Sequence, residues 1–110
     1  MIARALNLRG SGDLSAARAE IDNAYSTLLG GQSDLLRMLD TPSAARLIGN
    51  PKKVAAFARI TSAEAALGAA QGNSKAEQLL TARAVSLAEE AIKLDPADEA
   101  AIAALREIQG

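Results

Sequence analysis

The chain has 110 residues, 49% of them hydrophobic and 2% aromatic, with 12 Lys plus Arg against 13 Asp plus Glu. That length supports one hydrophobic core and a single domain over residues 1–110, and the formal charge of -1 creates no field that would draw the chain to nucleic acid or an anionic membrane. Cys and His are both absent, which removes thiol nucleophiles, disulfides, zinc–thiolate sites and the usual general base near neutral pH, so no cofactor, metal or catalytic residue is expected.

Ala-rich windows with few β-branched residues favour helix throughout. The first stretch, Met1-Ile2-Ala3-Arg4-Ala5-Leu6, interrupts its apolar residues with a charge and lacks the long apolar core of a signal peptide. Nothing later approaches the roughly 18 apolar residues of a membrane span, so a soluble cytoplasmic protein is expected. A short helix is predicted over 2–9, closed by Gly10. Asp13 caps a second, over 13–29, with Leu14, Ala17, Ile21, Ala24 and Leu28 on one stripe and Gly30 at its end. Ser33 starts a helix over 33–40, and Thr41-Pro42 starts another over 42–48 that ends at Gly49.

Asn50-Pro51 opens a long helix over 51–71. Its Val54, Phe57, Ile60 and Leu67 form one apolar stripe and Ala55, Ala58 and Ala65 a smoother second face, so it is expected to pack on two sides. After Gly72, Ser74 and Glu77 have the spacing of a capping box for a helix over 74–94, with Ala76, Leu80, Ala84, Leu87, Ala91 and Leu94 inward. Asp95-Pro96 then begins the last helix, over 96–109, which turns Ala101, Ala104, Leu105 and Ile108 to the core and leaves Asp98, Glu99 and Arg106 to water. Short connections force neighbouring helices to run antiparallel, so the expected fold is all-α, built of stacked helical hairpins.

Gly12-Asp13-Leu14-Ser15-Ala16-Ala17, followed by Ile21 and Ala24, resembles the inter-helix turn and second helix of a tetratricopeptide repeat. Ala84, Ala91, Ile92 and Leu94-Asp95-Pro96 resemble the end of another unit and the proline-started helix after it. With Ile21-Asp22-Asn23-Ala24-Tyr25, Leu28-Leu29-Gly30 and Asp34-Leu35-Leu36, the whole is similar to a family of uncharacterised bacterial proteins of tetratricopeptide-like type, and the short first helix suggests a shortened member. The aromatic and Leu-Gly signature of a standard first helix is absent, and 32–50 matches no repeat. The resemblance implies hairpin packing through Gly12, Ala17, Ile21, Ala24, Ala84, Ala91 and Pro96, and a protein or peptide partner; it implies no activity.

Gly10-Ser11-Gly12-Asp13-Leu14-Ser15 lacks the preceding strand and third glycine of a dinucleotide loop and reads as a hairpin turn. Glu89, Glu90, Asp95, Asp98 and Glu99 lack the glycine and ligand alternation of a calcium loop and read as solvated charge around a helix start. Arg46, Lys52, Lys53 and Arg59 are the candidate anion or partner contact, because no acidic residue lies between Asp40 and Glu64 and the macrodipole disfavours Lys52 and Lys53 in a first turn. A bound carboxylate or phosphate, or the acidic C-terminal segment of a second chain, would offset that cost. Tyr25 is expected at the edge of its helix's stripe, hydroxyl outward. The expected function is non-catalytic binding of a protein or peptide, in a groove between the Pro51 and Ser74 helices, or self-assembly as a homodimer through the first helix and its neighbour. The alternative is a small-anion binder or minor enzyme using the basic segment 46–59.

Overall fold

A computed structural model describes residues 14–110. The helix expected over 2–9, together with Gly10, Gly12 and the cap Asp13, lies outside the described residues. Six α-helices follow in chain order: α1 (Leu14–Leu29), α2 (Ser33–Met38), α3 (Thr41–Ile48), α4 (Pro51–Ala70), α5 (Ser74–Leu94) and α6 (Glu99–Gln109), with a single 3-10 turn at Gly30–Gln32 between α1 and α2. There is no strand among the described residues, and the fold is all-α as the Ala-rich composition dictates.

The cap chemistry holds at Asn50, whose side chain accepts from Lys52 N and Lys53 N with Pro51 in the first helical position. Elsewhere it differs from the sequence reading. Asp40, not Thr41, caps α3, its carboxylate accepting from Ser43 N, since Asp outranks Thr as a cap and proline is tolerated one position further in. Thr41 is thereby freed to meet Ser86 of α5, hydroxyl to hydroxyl at 2.5 Å. Asn73 caps α5 by accepting from Ala76 N, displacing the Ser74–Glu77 box. Ser33 lies within α2 as a buried residue and provides no cap.

The last helix starts later than Asp95-Pro96 suggests. Asp95 Oδ1 accepts from Ala97 N at 3.0 Å and Asp95 O from Asp98 N at 3.1 Å, which folds Asp95–Asp98 into a turn with Pro96 exposed. Asp98, expected in water, is only 5% exposed and caps α6 by accepting from Ala101 N. The glycines expected to close helices do so at Gly30, Gly49 and Gly72, with φ of 64°, 72° and 78°, a conformation that costs an L side chain energy.

Helix α4 is the axis of the assembly, packed by α1, α5 and α6. Both of its expected faces are buried, Val54, Phe57, Ile60 and Leu67 on one and Ala55, Ala58 and Ala65 on the other. Ala17, Ile21 and Ala24 of α1, Ala84, Leu87 and Ala91 of α5, and Ala101 and Ala104 of α6 are buried in turn. The small side chains let backbones approach, and the three-residue link Gln71–Gly72–Asn73 forces α4 and α5 into an antiparallel hairpin. Within the stripes, Leu94, the last residue of α5, is 39% exposed.

Candidate functional site: a guanidinium-walled cleft beside Tyr25

The basic residues singled out in the sequence are not gathered around one ligand position. Lys52 Nζ donates to Asp98 Oδ2 at 2.6 Å, while the other oxygen of the same carboxylate accepts from Ala101 N at 3.1 Å. The anion that offsets a lysine in the first turn of α4 is therefore the cap of α6 in the same chain, and each charge relieves the other: the Lys52 ammonium holds the Asp98 carboxyl below its ordinary range, and Asp98 raises Lys52. Two turns on, Arg59 Nε donates to Glu107 Oε2 at 3.1 Å, a second tie from α4 to α6. Arg46 Nε reaches Pro42 O within α3 at 3.5 Å, and Lys53 is exposed and forms no ion pair among the described residues.

A cleft of about 490 Å³ opens on a different part of the molecule. Its floor comes from α4, where Phe57, Thr61 and Glu64 recur at helical spacing on one face. Tyr25 of α1 lies against that face, its ring edge-on to Phe57 with centroids 6.0 Å apart and planes at 86°. The ring is 1% exposed, contrary to the expected outward hydroxyl: the phenol donates inward to Glu64 Oε1 at 2.6 Å, and its oxygen lies 3.2 Å from Thr61 Oγ1. Burial first, and then the carboxylate acceptor, push the Tyr25 hydroxyl well above its usual range, so it stays protonated. Thr61 in turn donates to Phe57 O at 2.9 Å.

Glu64 is the hub of this network. Its Oε2 accepts from Arg18 Nη1 at 3.0 Å and lies 3.5 Å from Arg37 Nη2, and both guanidiniums also approach Asp22 Oδ1, at 3.8 and 3.9 Å. Its side chain is 12% exposed, a depth a carboxylate tolerates only when paired and hydrogen-bonded. Arg37 lies over Tyr25, its Cζ 4.0 Å from the ring centroid. On the facing wall, Arg83 of α5 donates from Nη1 to Leu39 O at 2.8 Å and from Nη2 to Leu36 O at 2.9 Å, at the carbonyl end of α2 where positive charge is favoured. Its Cζ is 5.6 Å from the Phe57 centroid.

No known protein family, curated protein or solved structure matches the chain. The assignment therefore stands on the geometry. The polar groups at the cleft floor are engaged with one another: the phenol is locked as a donor, and Glu64 is shared by two arginines. No group of three or more Asp or Glu among the described residues is placed to hold a metal ion. What remains for a ligand is shape, the spare donors of Arg83 and apolar side chains at the edge. Met38 is 84% exposed and lines the cleft with the half-buried Leu80; Leu79, beside it on α5, is 64% exposed, and Leu35 of α2 is 51% exposed. Beyond Arg37 a second, more polar recess of about 450 Å³ runs past Asp22, Ser26 and Ser33.

The cleft takes walls from both α4 and α5, the Pro51 and Ser74 helices, and from α1 and α2. Arg37, Glu64 and Arg83 were missed. A signal for Glu64 was present: it is the one acidic residue in α4, set between the buried Thr61 and Leu67. Nothing comparable marked Arg37 or Arg83, whose roles depend on helices far away in sequence.

Proposed function

We propose that the protein is a non-catalytic helical-repeat element that binds a segment of another protein in the cleft between α2 and α5. The observation that carries this reading is Met38, a flexible apolar side chain held 84% exposed at the edge of a cleft. An exposed methionine lining the same cleft as Leu80 is the kind of surface that gains by being covered, and thioether side chains adapt to partners of different shape. The α4–α5 hairpin with α6 laid against both helices is compatible with tetratricopeptide-like stacking, an architecture whose concave surfaces serve as binding faces.

Self-assembly would draw on the same apolar rim. Among the described residues α1 contributes no large exposed hydrophobic side chain, whereas α2, α3, α5 and α6 each do, so exposure gives no support to a dimer built on α1. The competing anion-binding reading has less behind it, because Lys52 and Arg59 are already held by Asp98 and Glu107.

The test is quantitative capture from a lysate of the source organism with the parent protein and with Met38→Glu, alongside light scattering of both. A protein enriched by the parent and lost with Met38→Glu supports the reading. Equal capture by both, with parent and variant scattering as monomers, contradicts it. A parent dimer that the variant abolishes assigns the rim to self-assembly instead.

A further inference from the structure

The cleft's charges do not cancel in place. Glu64 is saturated by the Tyr25 hydroxyl, Arg18 and Arg37. Arg83, in contrast to those two arginines, forms no ion pair among the described residues; its two bonds go to neutral carbonyls, Leu36 O and Leu39 O, and leave further N–H donors of the fork unspent. Burial lowers its affinity for the proton, and the Asp40 and Glu64 carboxylates, neither of them in contact with it, only partly offset that. The other carboxylate lining the cleft, Asp34, is exposed to water and pairs with neither Arg37 nor Arg83 within 4.0 Å. The same cleft is lined by Met38 and Leu80.

Resting on the binding role proposed above, we infer that the partner segment is amphipathic and acidic, placing apolar side chains on Met38 and Leu80 and an Asp or Glu carboxylate on the Arg83 guanidinium. A carboxylate there meets a donor fork already held in place by the end of α2, so little side-chain freedom is lost on binding. A basic segment at the same position would bring like charge to Arg83.

A random peptide library displayed on phage, selected against the full chain, reads the preference directly. Enriched peptides should carry an Asp or Glu beside apolar residues. Changing that acid to its amide in the peptide should weaken binding by about tenfold or more, as expected for a charge-assisted bond. Arg83→Gln, checked for folding by a thermal melt, should bind the acidic and amide peptides alike. The peptide-side change holds whether or not that variant folds. Enriched peptides that depend on Met38 but lack an acid, carry Lys or Arg instead, or bind equally as the amide overturn the acidic assignment and leave the cleft's binding role standing. If no enriched peptide loses affinity with Met38→Glu, both fall together.

Discussion

The phenol of Tyr25 donates to Glu64 Oε1 across 2.6 Å, joining α1 to the middle of α4 through the only tyrosine in the chain. The bond is charge-assisted and half enclosed by two guanidiniums, so its loss strands part of a carboxylate with little water at hand. Tyr25→Phe is expected to cost about 1.5–3 kcal/mol in urea unfolding. Glu64→Ala should cost more, since it also removes the partner of Arg18 and Arg37 and leaves their charges uncompensated. A Tyr25→Phe protein as stable as the parent would show the bond to be dispensable.

Phe57 is fully buried where α1, α4 and α5 meet, and Tyr25 and Arg83 both lean on its ring. Truncation to alanine opens a void that small neighbours cannot fill. A loss of about 3–5 kcal/mol is expected for Phe57→Ala, measured by chemical denaturation.

Gly68 is helical and buried in α4, and a methyl group there would meet Glu77 N at 3.5 Å and Ala76 Cβ at 3.6 Å, ordinary contact distances. The backbone there has no need of a glycine's freedom. Gly68→Ala should therefore raise stability, by about 0.5–1 kcal/mol, through helix propensity and a stiffer unfolded chain. A lower melting temperature would show that the α4–α5 approach is tighter than these distances imply.

The Lys52–Asp98 pair gives a pH signature with two limbs. The Asp98 carboxyl is held below its usual 3.8 by the Lys52 ammonium, so its contribution is complete above that value and is lost as pH falls through the lower folded value. Lys52 is raised above its usual 10.5 by Asp98, so its contribution is complete below that and is lost as pH rises through the higher folded value. The stability gap between the parent and Asp98→Asn is expected to be widest between about pH 5 and 9 and to narrow on both sides. Thermal melts across that range check it; a gap independent of pH would mean that Asp98 acts through its cap geometry alone.

Much of the fold was legible because it rests on local rules. Ala-rich periodicity, caps and glycine stops placed α1 to α6 within a few residues, and the two-faced pattern of α4 marked it as packing on two sides. The caps shifted where adjacent polar residues compete. Asp40 stands beside Thr41 and Asn73 beside Ser74; cap preference favours Asp over Thr but leaves Asn and Ser level. Asp98 prevailed over Asp95 because Lys52, 46 positions away, reaches it, and no window of local sequence contains that pairing. The same limit explains the cleft. Its walls come from four helices, and two members of the basic run, Lys52 and Arg59, have their acids at the cap and in the last turns of α6.

In the proposed role, the lip of the cleft at Met38 is where a partner lies. A photo-crosslinking amino acid placed at Met38 in the full chain, with one at the exposed Thr27 of α1 as control, tests it inside the cell. A partner seated at Met38 gives a discrete adduct of fixed mass from position 38 and none from position 27. The same diffuse background from both positions, or a discrete adduct from position 27 alone, would contradict it.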